Sequence, residues 1–293
     1  MVNWKNLDEL ASFKALKELP AVDLKTEMTG EKGAERVKAY TVPMAEGLSY
    51  NFAAKAVNDD VLAALQKLAD EAQLEDKFAE LYNGGMVNTG EKRYVLHHLC
   101  RAQLGNDVIA DGQNKREFYV EQQNRIAAFA KKVYSGEIAN EKGEKFTTVV
   151  QIGIGGSDLG PRAMYLALEN WAKANGKLKM NAKFISNVDP DDAAAVLNST
   201  DVAHALFILV SKSGTTLETL TNETFVKNAL KKEGLDPSKH MIAVTSEASP
   251  LAHNEGYLDA FYMDNYIGGR YSSSSAVGGA VLSLAFGPET FAE

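Results

Sequence analysis

The stretch "HALFILVSKSGTTLETLTNETFVKNALKKEG", residues 204–234, decides the fold that the sequence predicts. Its first part, "HALFILV", is a continuous apolar run of the length expected for a strand that is buried on both faces, as in parallel sheets. After "SKSGTT", apolar residues recur at helical spacing and the segment ends in lysines and a glycine, which predicts a helix. The loop at 211–216 therefore joins the carboxyl end of a strand to the amino end of a helix. Open α/β sheets bind their ligands at this place.

This loop is unusually rich in groups that can donate hydrogen bonds to an anion. The start of a helix leaves about four backbone N–H groups unpaired and carries a partial positive charge. Gly214 lets the backbone approach a ligand closely, and Lys212 adds a charge. The hydroxyl donors are Ser211, Ser213, Thr215 and Thr216. We therefore predict a cradle for a phosphate monoester. The alternative is that the loop only caps its helix, since Thr215 and Glu218 have the spacing of a capping box.

The composition is that of an ordinary globular protein and excludes several classes of partner. The chain has 293 residues, 45% of them hydrophobic and 24% charged, with a formal net charge of −8 and no long basic run. Nucleic-acid and anionic-membrane partners are therefore not expected. The single cysteine, Cys100, excludes an intrachain disulfide and a cysteine-based zinc site, and we expect it in the core. Neither a signal peptide nor an apolar run of about 20 residues is recognisable, so a cytoplasmic location is expected.

Two regions with different hydrophobic patterns follow one another along the chain. The first has helical periodicity without convincing strands, over 4–19, 58–82, 91–104 and 115–134. From about residue 145, five short β-rich runs alternate with helical segments. We predict an α/β protein, a three-layer αβα sandwich with a five-stranded parallel sheet, preceded by a helical amino-terminal segment. We place the segment at 1–114 and the sheet domain at 115–293. Right-handed crossovers would bring every strand-to-helix loop to one edge of the sheet.

The loop after the first of these strands, "IGIGGSDLGP" at 152–161, contains the glycines typical of phosphate-binding turns. Asp158 stands at the third glycine position of the dinucleotide motif G-x-G-x-x-G, which disfavours a nucleotide-dependent oxidoreductase. Pro161 and Arg162 replace the Lys and Ser/Thr of a P-loop. What remains is a turn in which Gly156 permits close approach and Ser157 offers a hydroxyl, with Pro161 in the first helical turn. A tight turn capped by Ser157 or Asp158 is the alternative.

A third polar segment, "GGRYSSSSAVG" at 268–278, places Arg270 after two glycines and before an apolar helix. A guanidinium facing the sheet edge could stabilise an oxyanion, because it stays charged at every working pH. The alternative is a structural ion pair with a nearby carboxylate. None of the five histidines lies in one of the three loops, so we assign none of them a role; they are His97, His98, His204, His240 and His253.

Taken together, "IGIGGSDLGP", "SKSGTTLET" and "GGRYSSSSAVG" resemble, in order and spacing, the conserved segments of the glucose-6-phosphate isomerase family. "NTGEKRYVLH" at 88–97 and "ISNVDP" at 185–190 also resemble that family, although Gly90 stands where it usually has Thr. The resemblance implies a flavodoxin-like sugar isomerase (SIS) domain at 115–293, the first of two. It implies that Arg270 stabilises an enediolate. It implies that the sugar phosphate is bound by Gly156, Ser157, Ser211, Lys212, Ser213, Thr215, Thr216 and Gly269.

The family interconverts an aldose and a ketose phosphate through an enediolate, without a metal or nucleotide cofactor, and acts as a homodimer. Its base glutamate, ring-opening histidine and a further lysine lie in the second half of a longer chain. We therefore expect this chain to be an amino-terminal portion that lacks the second SIS domain and is inactive alone. The alternative is a stand-alone SIS-type module that binds a sugar phosphate and regulates a partner.

Overall fold

The computed structural model describes residues 2–101 and 104–293, which divide into two compact units, Met1–Glu80 and Leu81–Glu293. Among the described residues, no helix is both long and apolar enough to cross a bilayer. The first unit contains a 3-10 turn at Leu7–Glu9, helices α1 (Ala11–Lys17), α2 (Leu24–Glu27), α3 (Gly30–Ala39) and α4 (Asp59–Glu71), and strands β1 (Thr41–Pro43) and β2 (Ser49–Asn51). Helix α5 (Leu74–Tyr82) follows, and its last two residues belong to the second unit.

Several predictions for the first unit were wrong in detail. The helix expected over 58–82 is two helices, because Gln73 between them has a left-handed φ of 54°. Helix α3 was missed, as were the short antiparallel strands β1 and β2. Helix α3 contains two glycines and few apolar residues, so little apolar surface marks it as a helix in the sequence. The buried Arg36 holds it in place by donating to the carbonyls of Ala53 at 2.8 Å and Val57 at 2.6 Å.

The second unit contains the sheet domain. After a 3-10 turn at His97–Cys100, the elements in chain order are β3 (Ile109–Ala110), β4 (Gln113–Asn114), α6 (Lys115–Ser135), β5 (Thr148–Ile152), α7 (Leu159–Ala174), β6 (Asn181–Ile185), α8 (Pro190–Asn198), β7 (Ala205–Val210), α9 (Leu217–Lys232), β8 (Met241–Thr245), β9 (Ala260–Tyr262), α10 (Ala276–Phe286) and α11 (Pro288–Ala292). Strands β3 and β4 form a short antiparallel pair that was not predicted.

The helix predicted over 91–104 is wrong for the part that the structure describes; residues 102 and 103 lie outside it. Only the 3-10 turn at His97–Cys100 is helical there. The amide of Leu96 donates to the carbonyl of Tyr266 at 3.1 Å, 170 residues away in sequence and in another segment. This backbone is therefore paired across the fold instead of along a helix.

The predicted α/β class and the five-stranded parallel sheet are confirmed. The strand order is β6-β5-β7-β8-β9 and every pair is parallel. In order of appearance this is 2-1-3-4-5, the order of flavodoxin-like folds, whose ligand sites lie at the carboxyl edge where the order reverses. All six residues of β7 are buried, as expected for a central strand covered on both faces. Helix α10 is also buried along its whole length.

Candidate active site

The first two of the predicted loops leave adjacent strands at the same edge of the sheet. Strands β5 and β7 pair in register, with Ile152 opposite Leu209. Paired strands lie about 4.8 Å apart, so the chain leaves both strands side by side. The glycine turn at Gly155–Ser157 and the loop at 211–216 therefore begin next to each other, as predicted.

The hydroxyl groups of the 211–216 loop form a small network among themselves. Gly214 N–H donates to Ser211 Oγ at 3.2 Å, and Ser211 Oγ lies 3.3 Å from Thr216 Oγ1. The hydroxyl of Thr215 donates to Ser213 Oγ at 3.0 Å. Ser211 is buried and holds the loop, whereas Ser213 and Thr215 are exposed.

None of these hydroxyls caps helix α9. The N-cap residue is Thr216, and its side chain makes no capping hydrogen bond. The proposed capping box of Thr215 and Glu218 is therefore wrong. Gly214 has a left-handed φ of 68°, which explains why a glycine stands in the middle of the loop. The amides at the start of the helix keep their capacity to bind an anion.

Lys212 is half-buried at the same edge and makes no ion pair with any residue that the structure describes. Burial lowers the pKa of its ammonium group, and the positive charge of Arg93 lowers it further. The carboxylates of Asp264 and Glu91 act in the opposite direction. A positive charge without an acidic partner is suited to receiving an anion.

The glycine turn contacts the segment that carries Arg270. A Cβ atom built on Gly156 would overlap the carbonyl of Gly269, so two backbones meet where no side chain fits. Ser272 Oγ lies 2.8 Å from Gly269 O and 3.4 Å from Gly156 O and connects both. The third loop is thereby joined to the first. No contact between these two loops was predicted from the sequence, where the available signal was a pair of adjacent glycines in each loop.

Neither of the residues considered as a cap for the glycine turn caps helix α7. Asp158 is the N-cap residue but makes no capping hydrogen bond, and its carboxylate instead accepts from Arg162 Nε at 2.9 Å. Burial raises the pKa of Asp158, and Arg162 opposes that shift. Ser157 is not the N-cap residue, and its hydroxyl makes no hydrogen bond with the described residues. Pro161 is the third residue of α7, in the first turn as predicted.

Arg270 is exposed, and it forms no ion pair with any described residue, so the structural ion pair considered above is wrong. The carbonyl of Gly268, two residues earlier, accepts a hydrogen bond from His97 Nε2 at 2.9 Å. His97 was assigned no role, because it lies in none of the three predicted loops. The motif "NTGEKRYVLH" was the available signal, since it ends at this histidine.

Two cavities lie elsewhere and contain none of the predicted site residues. One of about 430 Å³ is bordered by Cys100, Gln123, Met164 and Phe291. Another of about 570 Å³ lies near Glu141. We base the candidate site on the three loops, because they are adjacent and carry two cations without an ion pair among the described residues, together with hydroxyls and helix-start amides. Cys100 is buried as predicted, and burial raises the pKa of its thiol to about 12. The described residues contain no cluster of acidic, histidine and cysteine side chains able to hold a metal ion.

The fold defines a flavodoxin-like α/β protein, and this edge is its candidate anion-binding site, where the strand order reverses. The chain belongs to the phosphoglucose isomerase family, whose model matches residues 51–293. The predicted family is thereby confirmed.

Named relatives agree with this assignment. The chain is 59% identical to glucose-6-phosphate isomerase of Treponema denticola, over 99% of this chain and 55% of that protein. It is 53% identical to the glucose-6-phosphate isomerase of Treponema pallidum (strain Nichols), with the same coverage of 99% and 55%. A crystal structure of a glucose-6-phosphate isomerase from Chlamydia trachomatis matches with a TM-score of 0.84 and 36% identity, over 98% of this chain and 54% of that one. The chain spans about half the length of the curated relatives that it matches.

Proposed function

We propose that this chain is the amino-terminal part of a glucose-6-phosphate isomerase, which interconverts glucose 6-phosphate and fructose 6-phosphate through an enediolate. The observation that carries the proposal is the contact between Gly156 and Gly269. It unites the glycine turn with the Arg270 segment, beside the hydroxyl loop on the adjacent strand. We further propose residues 115–293 as the first of two SIS domains, with 1–114 as a helical amino-terminal segment.

In this proposal the phosphate of the sugar is held by the amides at the start of α9 and by nearby hydroxyls. Ser213, Thr215 and Thr216 supply donors from one loop, and Ser157 from the other. Helix-start amides suit a phosphate, because their dipole and their unpaired N–H groups both favour negative charge. Lys212 adds a full positive charge. Ser211 acts mainly within the loop, since its hydroxyl is buried and bonded there.

Arg270 supports the chemical step. Removal of the proton from C2 of the open-chain sugar places negative charge on the oxygens of the enediolate. A guanidinium without a competing carboxylate is available to stabilise that charge, an effect that is often worth a few kcal/mol. The group that removes the proton, and the second wall of the pocket, would come from a carboxyl-terminal half. We therefore propose that the 293 residues alone are inactive, and that the complete protein is a cytoplasmic homodimer that needs no cofactor.

An assay with fructose 6-phosphate tests the proposal. The complete protein should produce glucose 6-phosphate, and replacement of Arg270 by Ala should lower kcat by about 10²-fold. Lys232→Ala, at the far end of α9, is the matched loss of a positive charge and should leave kcat unchanged. A complete protein that converts no hexose phosphate would refute the proposal. Binding of the sugar phosphate without turnover would instead favour a regulatory SIS-type module.

A further inference from the structure

Arg270 lies in a short 3-10 helix, Gly269–Ser274, and within this segment the Gly268 carbonyl accepts one long hydrogen bond, from Tyr271 N–H at 3.4 Å. Two glycines, Gly268 and Gly269, precede the arginine, and glycine loses more conformational freedom on ordering than any other residue. The arginine side chain is exposed and has no partner among the described residues that would fix it. The place from which this side chain projects therefore depends on what holds the backbone at the start of the helix, including the two glycine carbonyls.

Each of these carbonyls accepts a hydrogen bond from a side chain. The hydroxyl of Ser272, in the same segment, donates to Gly269 O at 2.8 Å. His97 Nε2 donates to Gly268 O at 2.9 Å, and the two residues are 171 positions apart in sequence. A carbonyl oxygen can only accept, so the proton must lie on Nε2 of the histidine. The His97 ring also packs edge-on against Tyr271, with ring centroids 6.2 Å apart.

The segment that carries His97 is itself fixed to the same part of the chain on either side. Leu96 N–H donates to Tyr266 O at 3.1 Å. Arg101 Nε donates to Ser274 Oγ, also at 3.1 Å. The histidine is thus the middle of three links between residues 96–101 and 266–274, and it is the one nearest to Arg270.

We propose that His97 is a positioning residue for the isomerase reaction, which holds the Gly268–Gly269–Arg270 turn so that the guanidinium meets the developing oxyanion. The inference rests on the function proposed above. It assigns His97 no contact with the substrate. Burial lowers the pKa of His97, and the charges of Arg101 and Lys212 lower it further against the opposing effects of the Gly268 carbonyl and Asp264. The link requires only a proton on Nε2, which either charge state of the ring can provide.

The link is tested by backbone amide relaxation of the ¹⁵N-labelled 293-residue chain. In the unchanged protein, the amides of Gly269 and Arg270 should have order parameters of about 0.85. His97→Leu should lower them below about 0.6, and His97→Gln, whose amide nitrogen can reach the same carbonyl, should restore them. His98→Leu is the matched control, because His98 Nε2 donates to Tyr82 O at 3.0 Å, away from this turn. Equal order parameters in the His97→Leu variant and the unchanged protein would overturn the inference.

Kinetics of the complete protein test whether the link acts through Arg270. Small misplacements of a catalytic group can cost about 10²-fold in rate, so His97→Leu should lower kcat by up to that factor with a smaller change in KM. In an Arg270→Ala background, His97→Leu should cause no further loss of kcat; additive losses would refute the inference.

If His97→Leu does not fold, two polar variants replace it. His97→Gln should keep both kcat and the high order parameters of Gly269 and Arg270, and His97→Asn should lose both. A complete protein without isomerase activity would refute the proposed function, while the amide relaxation still decides whether His97 holds the turn.

Discussion

The two edges of the five-stranded sheet differ in how fully their charged side chains are paired, although the carboxyl edge also contains the Asp158–Arg162 pair. At the amino edge, the fully buried His240 places one ring nitrogen 3.0 Å from Ala205 O and the other 2.9 Å from a carboxylate oxygen of Glu141. His204 lies between the carboxylates of Asp201 and Glu144, at 2.8 and 3.1 Å. At the carboxyl edge, Lys212 and Arg270 have no carboxylate partner within the described part of the chain, and the hydroxyls bond mainly to one another.

This difference favours the carboxyl edge over the amino edge as the place where a ligand binds. A buried charge is costly unless it is paired, so the amino edge is satisfied within the fold. The carboxyl edge keeps cations and donors that an incoming anion would satisfy. The histidines at the amino edge, His204 and His240, therefore have structural partners within the fold, which agrees with their having been assigned no functional role.

The largest effect on stability is expected at the amino edge. His240→Leu removes both hydrogen bonds and leaves Glu141 and the Ala205 carbonyl without their partner. We expect the free energy of unfolding to fall by about 2–4 kcal/mol, measured by urea denaturation. The exposed His253→Leu should change it by less than about 0.5 kcal/mol. A tolerated His240→Leu would contradict the structural role of this edge.

A smaller loss is expected where the two glycine loops meet. Gly156→Ala places a methyl group against Gly269, and overpacking of this kind costs about 1–3 kcal/mol. It should also weaken binding of fructose 6-phosphate, because it separates the glycine turn from the Arg270 segment. Gly90→Ala is the control: its Cβ would meet only Asn88 Oδ1, at 3.8 Å. Unchanged stability and affinity in Gly156→Ala would show that the loops do not depend on this contact.

The decrease in the free energy of unfolding at acidic pH should depend in part on Glu141. Burial alone would raise its pKa, but hydrogen bonds from His240 and from the Asp236 amide outweigh burial, so the pKa of Glu141 is lowered. A lowered folded-state pKa contributes stability above the unfolded value of about 4.3, and this contribution is lost as the pH falls through the folded pKa. In urea titrations from pH 6 to 3, the stability difference between the unchanged protein and Glu141→Gln should therefore shrink below about pH 4. A difference that stays constant would argue against the pair.

The smallest effect on stability is expected for Arg270→Ala. The side chain is exposed and makes no ion pair with the described residues, so the free energy of unfolding should change by less than about 0.5 kcal/mol. A loss of several kcal/mol would show that the arginine is structural after all. Thermal or urea unfolding of the two proteins side by side decides this.

The elements that could be predicted from the sequence are those that are determined by residues within the same segment. Strand β7 is a continuous apolar run, and the loop after it has its own hydroxyls and glycine. The elements that were missed depend on distant partners. Helix α3 is held by the contacts of Arg36, and the backbone around Leu96 is paired with Tyr266. His97 escaped notice for the same reason, since its link to Gly268 spans 171 residues.

A titration of the ¹⁵N-labelled chain with fructose 6-phosphate, followed by amide chemical shifts, tests the central claim most directly. The resonances of Ser157, of residues 211–216 and of Gly269 should move together with one dissociation constant, while those of 140–144 and 201–204 at the amino edge stay in place. Shifts confined to the amino edge, or none at any of the carboxyl-edge loops, would contradict the assignment of this edge as the sugar-phosphate site.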